Sequence, residues 1–144
     1  MAKVRRQEYA TPDEAEKAFY DAFEERNISH MMDVWEDDDS SVCIHPLTGH
    51  ISGWESIRKS WARLFKHSPQ ITIKTSDCRR TLANNLAVHT LYEHIHVQGD
   101  KFPQPAIIST NIYQLTQSGW HMILHHASPT TQPSNKDEDI RTLH

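Results

Sequence analysis

The chain has 144 residues, 37% of them hydrophobic and 24% charged, which suits one domain with a sizeable core. Its net charge of −4 argues against a nucleic-acid footprint, and no apolar run approaches the ~20 residues of a membrane span. Four glycines, with no G-x-G-x-x-G or Walker pattern, exclude the standard phosphate-cradling loops, and the compositional outlier is histidine, with eleven.

Residues 1–10 carry no clear period and read as an N-terminal arm. Its basic start runs into Gln7-Glu8-Tyr9 and not into an apolar stretch, so no secretory signal is read there. Thr11-Pro12-Asp13-Glu14 is a helix start: Thr11 can cap, Pro12 suits the first turn, and Glu14 sits where a capping box wants it. Ala15, Ala18, Phe19, Ala22 and Phe23 then form one apolar stripe. Asn27 interrupts it, and Ile28, Met31, Met32 and Trp35 make a shorter second stripe that ends in the acidic run Glu36-Asp37-Asp38-Asp39. Ser41 to His45 reads as a short strand stopped by Pro46. Ser52-Gly53-Trp54-Glu55 is a second capping-box pattern, and Trp54, Ile57, Trp61, Leu64 and Phe65 form a third helical stripe. After Pro69 the period changes to two. Strands are expected from Ile71 to Leu82, Leu86 to Val97, Ala106 to Thr116 and Trp120 to Ser128, with Asn84-Asn85 as a hairpin turn. Residues 130–144 are polar and read as a flexible tail. The two cysteines, Cys43 and Cys78, form no disulfide framework, which with the missing signal predicts a cytoplasmic protein.

Helices first and a meander of long strands afterwards predict an α+β fold. The long strands are apolar on both faces. One face is expected to pack on the helices and the other on a second subunit, as a homodimer through the sheet.

The order of pieces resembles the nuclear transport factor 2-like superfamily, in its SnoaL-like and ketosteroid-isomerase-like branch. The resemblance rests on Trp35-(x9)-His45-Pro46, Gly53-Trp54, Ala87-Val88 with Glu93, and Gly119-Trp120 leading to His126-Ala127-Ser128-Pro129. It covers residues 11–129. It implies a cone-shaped fold, with three N-terminal helices packed on a curved antiparallel sheet and a pocket at the wide end. The branch includes isomerases, cyclases, dehydratases and epoxide hydrolases, and also the association domain of calcium/calmodulin-dependent kinase II, so fold alone does not choose an activity.

Three residues are the candidate catalytic groups. His45 stands where the isomerases hold a general-base Asp, and an imidazole kept neutral by burial can serve as a base; it can equally be an inert strand-end histidine. Asn111 stands where they hold an oxyanion-hole acid, and its amide can donate a hydrogen bond or simply satisfy a neighbour in the core. His126 falls by strand parity on the same face as Trp120, Met122 and Leu124, expected to be the interior, with His125 facing the other way. The isomerases' helix-one tyrosine aligns with Phe19, with Tyr20 beside it, which argues against steroid isomerase activity itself. Tyr20, Trp35, Trp54, Glu93 and Tyr113 are the candidate ligand-binding residues, with Trp54 expected to line the cavity because it opens its helix. His94-x-His96 is too sparse a pattern to predict a metal site, and no cofactor is expected.

These readings converge on a small, largely apolar ligand in the cone pocket, possible substrate of cofactor-free proton-transfer chemistry of isomerase or lyase type. The alternative is a non-catalytic association module resembling the kinase association domain. Neither reading involves a nucleic acid or a membrane.

Overall fold

The computed structural model describes residues 7–133. Helix α1 (Pro12–Glu25) starts on Thr11, whose side chain accepts from the Glu14 amide at 3.1 Å, while the Glu14 carboxylate returns to the Ala10 amide at 2.8 Å. It ends on Arg26 in the left-handed region, and Asn27 caps α2 (Ile28–Val34) by accepting from the His30 amide. Strands β1 (Val42–Ile44) and β2 (Ile51–Ser52) precede α3 (Trp54–His67). The second expected capping box does not form: Gly53, at φ 90°, takes the cap position with no side-chain bond, and Ser52 belongs to β2.

Four long strands follow: β3 (Ile71–Ala83), β4 (Leu86–Val97), β5 (Ile107–Thr116) and β6 (Gly119–Pro129). They form one six-stranded sheet in the order β2-β1-β6-β5-β4-β3. All pairings are antiparallel except β1 with β6, which run parallel, so the sheet is mixed and not wholly antiparallel. The parallel pair sets Cys43 opposite His125 and Ile44 opposite His126, and thereby delivers His45 to the β6 end of the sheet. The three helices pack on one face, as an α+β fold of cone type requires. Phe19, Met31, Trp35, Ile57, Trp61, Leu91, Tyr113 and Met122 are the buried centre of that packing.

Two irregularities in the sheet decide which residues face the helices. In β6 the register passes from Tyr113 opposite Met122 to Ile112 opposite Leu124, so Ile123 is an extra residue. The bulge inverts the alternation beyond it. Met122 faces the core before the bulge, and His125 and Ala127 do so after it, while Leu124 and His126 turn outward. In β3 the register shifts between Ser76 and Arg79, with Asp77 at φ 50°. The ends of the fold are pinned to the sheet. Trp120 donates its amide to the Tyr9 carbonyl at 2.9 Å, and Ala106 exchanges backbone bonds with Thr130 and Gln132. The rest of the tail, 134–144, and residues 1–6 of the arm lie outside the described residues.

Candidate functional site

A cavity of about 700 Å³ opens between α3, the end of β1 and the helix-facing side of the sheet. Its walls are mainly apolar, with Phe23, Trp61, Leu64, Phe65, Ile95 and Ile107 among them. Besides His67 at its rim, three groups that can carry protons line it: His45, Glu93 and His125. Cavities of this size and character, with few convergent polar groups, are the usual form of a small-molecule site.

His45 ends β1 and lies against Trp61, ring centroids 4.8 Å apart. Its Nε2 is 3.2 Å from Ser60 Oγ, and that hydroxyl already donates its single hydrogen to the Ile57 carbonyl at 2.8 Å. Ser60 can therefore only accept, so Nε2 carries the hydrogen and Nδ1 is the basic nitrogen. Burial holds the His45 pKa below the ordinary imidazole value, which keeps the ring neutral with its lone pair available.

Glu93 lies in the middle of β4, fully buried. Tyr20 donates to its Oε2 at 2.7 Å and Ser109 donates to the same oxygen at 2.8 Å. Burial raises the carboxyl pKa, outweighing the two hydrogen bonds that favour the charged form. Because both donors meet Oε2, Oε1 is the oxygen left to hold the proton when the acid is neutral. Behind Tyr20 the bonds continue. Asn111 Nδ2 donates to the Tyr20 hydroxyl at 3.0 Å, and Asn111 Oδ1 lies 2.6 Å from His125 Nδ1, which must donate to it. The network His125–Asn111–Tyr20–Glu93 therefore points every donor the same way, toward Glu93, and each bond polarises the next. Burial, with smaller contributions from His45 and His126, lowers the His125 pKa from 6.5 to about 3, so this ring too is neutral, with Nε2 as its lone-pair nitrogen.

The structure thus brings together His45, Asn111, Glu93 and Tyr20 from the sequence reading, with Asn111 and Tyr20 behind the wall. It does not bring His126 with them. That residue is exposed on the outer face, and the Ile123 bulge has exchanged it for His125. Trp35 and Tyr113 are fully buried in the core away from the cavity wall. Trp54 also lies off the wall; its indole donates to the Met32 carbonyl at 3.4 Å and ties α3 to α2, and Trp61, two turns further along, does the lining. The residues that sequence reasoning missed are His125, Ser109 and Ser60. Strand parity would have found the first only if the bulge were visible, and nothing in the sequence of β6 marks it. At the cavity rim stand Arg26, Arg63 and His67, all exposed.

Residues 13–132 match the family model of the SnoaL-like domain, which spans most of the chain. The chain belongs to the SnoaL-like family. Within the wider nuclear transport factor 2-like fold, it is similar to a chain from Thiobacillus denitrificans provisionally named a calcium/calmodulin-dependent protein kinase type II association domain. The identity is 33%, over 88% of this chain and 100% of that one, with a TM-score of 0.84. A Streptomyces avermitilis protein, provisionally named a dehydratase of the nuclear transport factor 2-like family, is 26% identical over 83% of this chain and 99% of its own, with a TM-score of 0.73. Among curated proteins it is similar to the F-box protein SKIP8 of Arabidopsis thaliana, 24% identical over 110 residues. The chain spans about half the length of that curated relative, since the match covers 46% of it. Among the described residues no helix is long and apolar enough to cross a membrane.

Proposed function

We propose that this SnoaL-like chain binds a small molecule with an apolar body and an anionic end, and moves a proton on it without a cofactor. The observation that carries the reading is a buried acid and two neutral imidazoles on the wall of one apolar cavity. Arg26, Arg63 and His67 supply a basic rim against which a carboxylate or similar anion would rest. In the interior, His45 Nδ1 removes a proton from carbon next to a carbonyl, and Glu93, in its protonated form, donates a hydrogen bond to the oxygen that gains charge. Returning the proton at another carbon gives isomerisation. Delivering a proton from Glu93 to a departing hydroxyl gives dehydration. The Streptomyces relative named as a dehydratase supports the lyase form of the reading.

The test is a panel of apolar carboxylic acids and their neutral esters, titrated while tryptophan fluorescence is followed. Saturable quenching by the acids, weaker for the esters and weakened again by Arg63→Gln, is the expected outcome. Those bound acids that carry a keto group should then exchange the hydrogens next to it in D2O with wild-type protein and lose that exchange in His45→Ala. A panel that gives no saturable binding overturns the ligand reading, and binding without exchange leaves a binding protein and no enzyme.

The Thiobacillus relative favours a second reading, an association module that assembles subunits. Both readings use a homodimer through the outer face of the sheet, and the mass in solution separates them. Two free thiols, Cys43 and Cys78, support a reducing compartment such as the cytoplasm.

A further inference from the structure

A second group of polar side chains lies between α1 and the β3–β4 side of the sheet, none of them on the cavity wall: Glu16, Cys78 and His89. One donor atom from each lies within 4.8 Å of the other two. His89 is 2% exposed. Its Nδ1 stands 3.2 Å from Glu16 Oε1, yet the approach does not meet hydrogen-bond geometry, and both atoms are buried with no hydrogen-bond partner among the described residues. Two orphaned polar atoms facing one another in a protein interior are costly unless something between them satisfies both. Cys78 completes the group. The β3 irregularity turns its thiol toward Glu16, with Sγ 3.8 Å from Glu16 Oε2, and it is half-buried, which leaves a way in from solvent.

We propose that Glu16, Cys78 and His89 form a binding site for a zinc-type divalent cation. A thiolate, an imidazole and a carboxylate are the donor set such an ion prefers, and three protein ligands leave a fourth position for water or a substrate. Ligands of a tetrahedral ion stand roughly 3.5 Å apart, so closure needs only a small contraction of the present arrangement. The surroundings fit as well. His89 Nε2 faces Asp13 Oδ1 at 4.0 Å, and Arg80 donates to that same oxygen at 2.9 Å. At that distance the carboxylate makes no hydrogen bond to the ring, but its negative charge on the Nε2 side favours the hydrogen there and leaves Nδ1, which faces Glu16, as the ligand nitrogen. Burial and the nearby Glu16 keep the Cys78 thiol protonated without metal, so binding forms the sulfur–metal bond as the thiol proton leaves to solvent.

Cobalt is the probe, added alone to tag-free, metal-stripped protein. A thiolate-to-cobalt charge-transfer band is expected at one equivalent, displaced by zinc. It should vanish in Cys78→Ser, weaken in His89→Gln and persist in Cys43→Ala, the last showing that the other thiol is not its source. Wild-type protein gives a second readout free of any folding defect. With zinc at ten times its Kd, alkylation of Cys78 followed by mass spectrometry should slow about tenfold. Absence of the band in wild type, its survival in Cys78→Ser, or an alkylation rate indifferent to zinc each overturns the site.

Discussion

At the scale of single residues, the wall of the cavity depends on burying groups in their neutral form, and this has a pH signature. His125 has its pKa lowered from 6.5 to about 3 in the fold. Its contribution to stability is fully present above 6.5. It is lost as the pH falls from 6.5 toward 3, because the unfolded chain accepts a proton that the buried ring refuses. The limiting slope is about 1.4 kcal/mol per pH unit. His45, lowered by burial, acts in the same direction. Glu93, raised by burial, acts in the opposite one, gaining relative stability as it is protonated in the fold first. Comparison with His125→Gln isolates the first contribution, since the other two remain in both proteins. Urea midpoints measured from pH 6.5 downward should fall less steeply for the variant. Equal slopes would mean that the His125 ring is charged or solvated in the fold. Most of this site was legible residue by residue. Tyr20, His45 and Asn111 were singled out by their positions in the resemblance to the isomerases, and Glu93 as an acid on a long strand whose inward face the apolar pattern alone does not fix.

At the scale of elements, legibility stopped where the chain departs from a regular period. The first helix announced itself through Thr11 and Pro12 and all three through stripes at helical spacing, and β4 runs over the expected Leu86 to Val97 after the Asn84-Asn85 turn. The β6 bulge did not, since Ile123 is an ordinary strand residue and a bulge of this kind requires no glycine. One extra residue therefore exchanged His126 for His125, and no count of alternation in the sequence could show it. Gly119 is the opposite case, a glycine whose reason appears only in the fold. It opens β6 at φ +98°, and a Cβ there would stand 2.7 Å from the Tyr9 carbonyl oxygen and 2.9 Å from the Tyr9 nitrogen. Those are backbone atoms that cannot swing aside, and the same Tyr9 carbonyl accepts from Trp120. Gly119→Ala should cost about 2–4 kcal/mol in urea unfolding, from strain and loss of the Tyr9 contact together. A change below about 0.5 kcal/mol, the size of an ordinary surface substitution, would show that Tyr9 is not seated on the sheet.

At the scale of the whole molecule, the remaining question is what covers the outer face of the sheet. Cross-strand register lines up Val88, Ile112 and Leu124 in one row and Tyr92 with Ile108 in another, with Thr90, Thr110 and His126 in the row between them. Ile108 is 38% exposed, and none of these residues is fully buried in the isolated chain. Two apolar rows left open on one sheet face, joined by a row of threonines and a histidine, are a surface on which a second subunit can pack. A two-fold interface would set the face against its own copy, so that each row meets the same rows of the partner. The expected mass in solution is therefore twice the 16.7 kDa of the chain. Ile108→Lys places a charge in the middle of that contact and should return the protein to a monomer, with the helix-facing cavity and its ligand response intact. A larger, discrete assembly would instead favour the association-module reading, because a dimer alone brings no further surfaces into register. A wild-type monomer at micromolar concentration would remove the sheet interface and with it that second reading, leaving the cavity to stand on its own ligand titration.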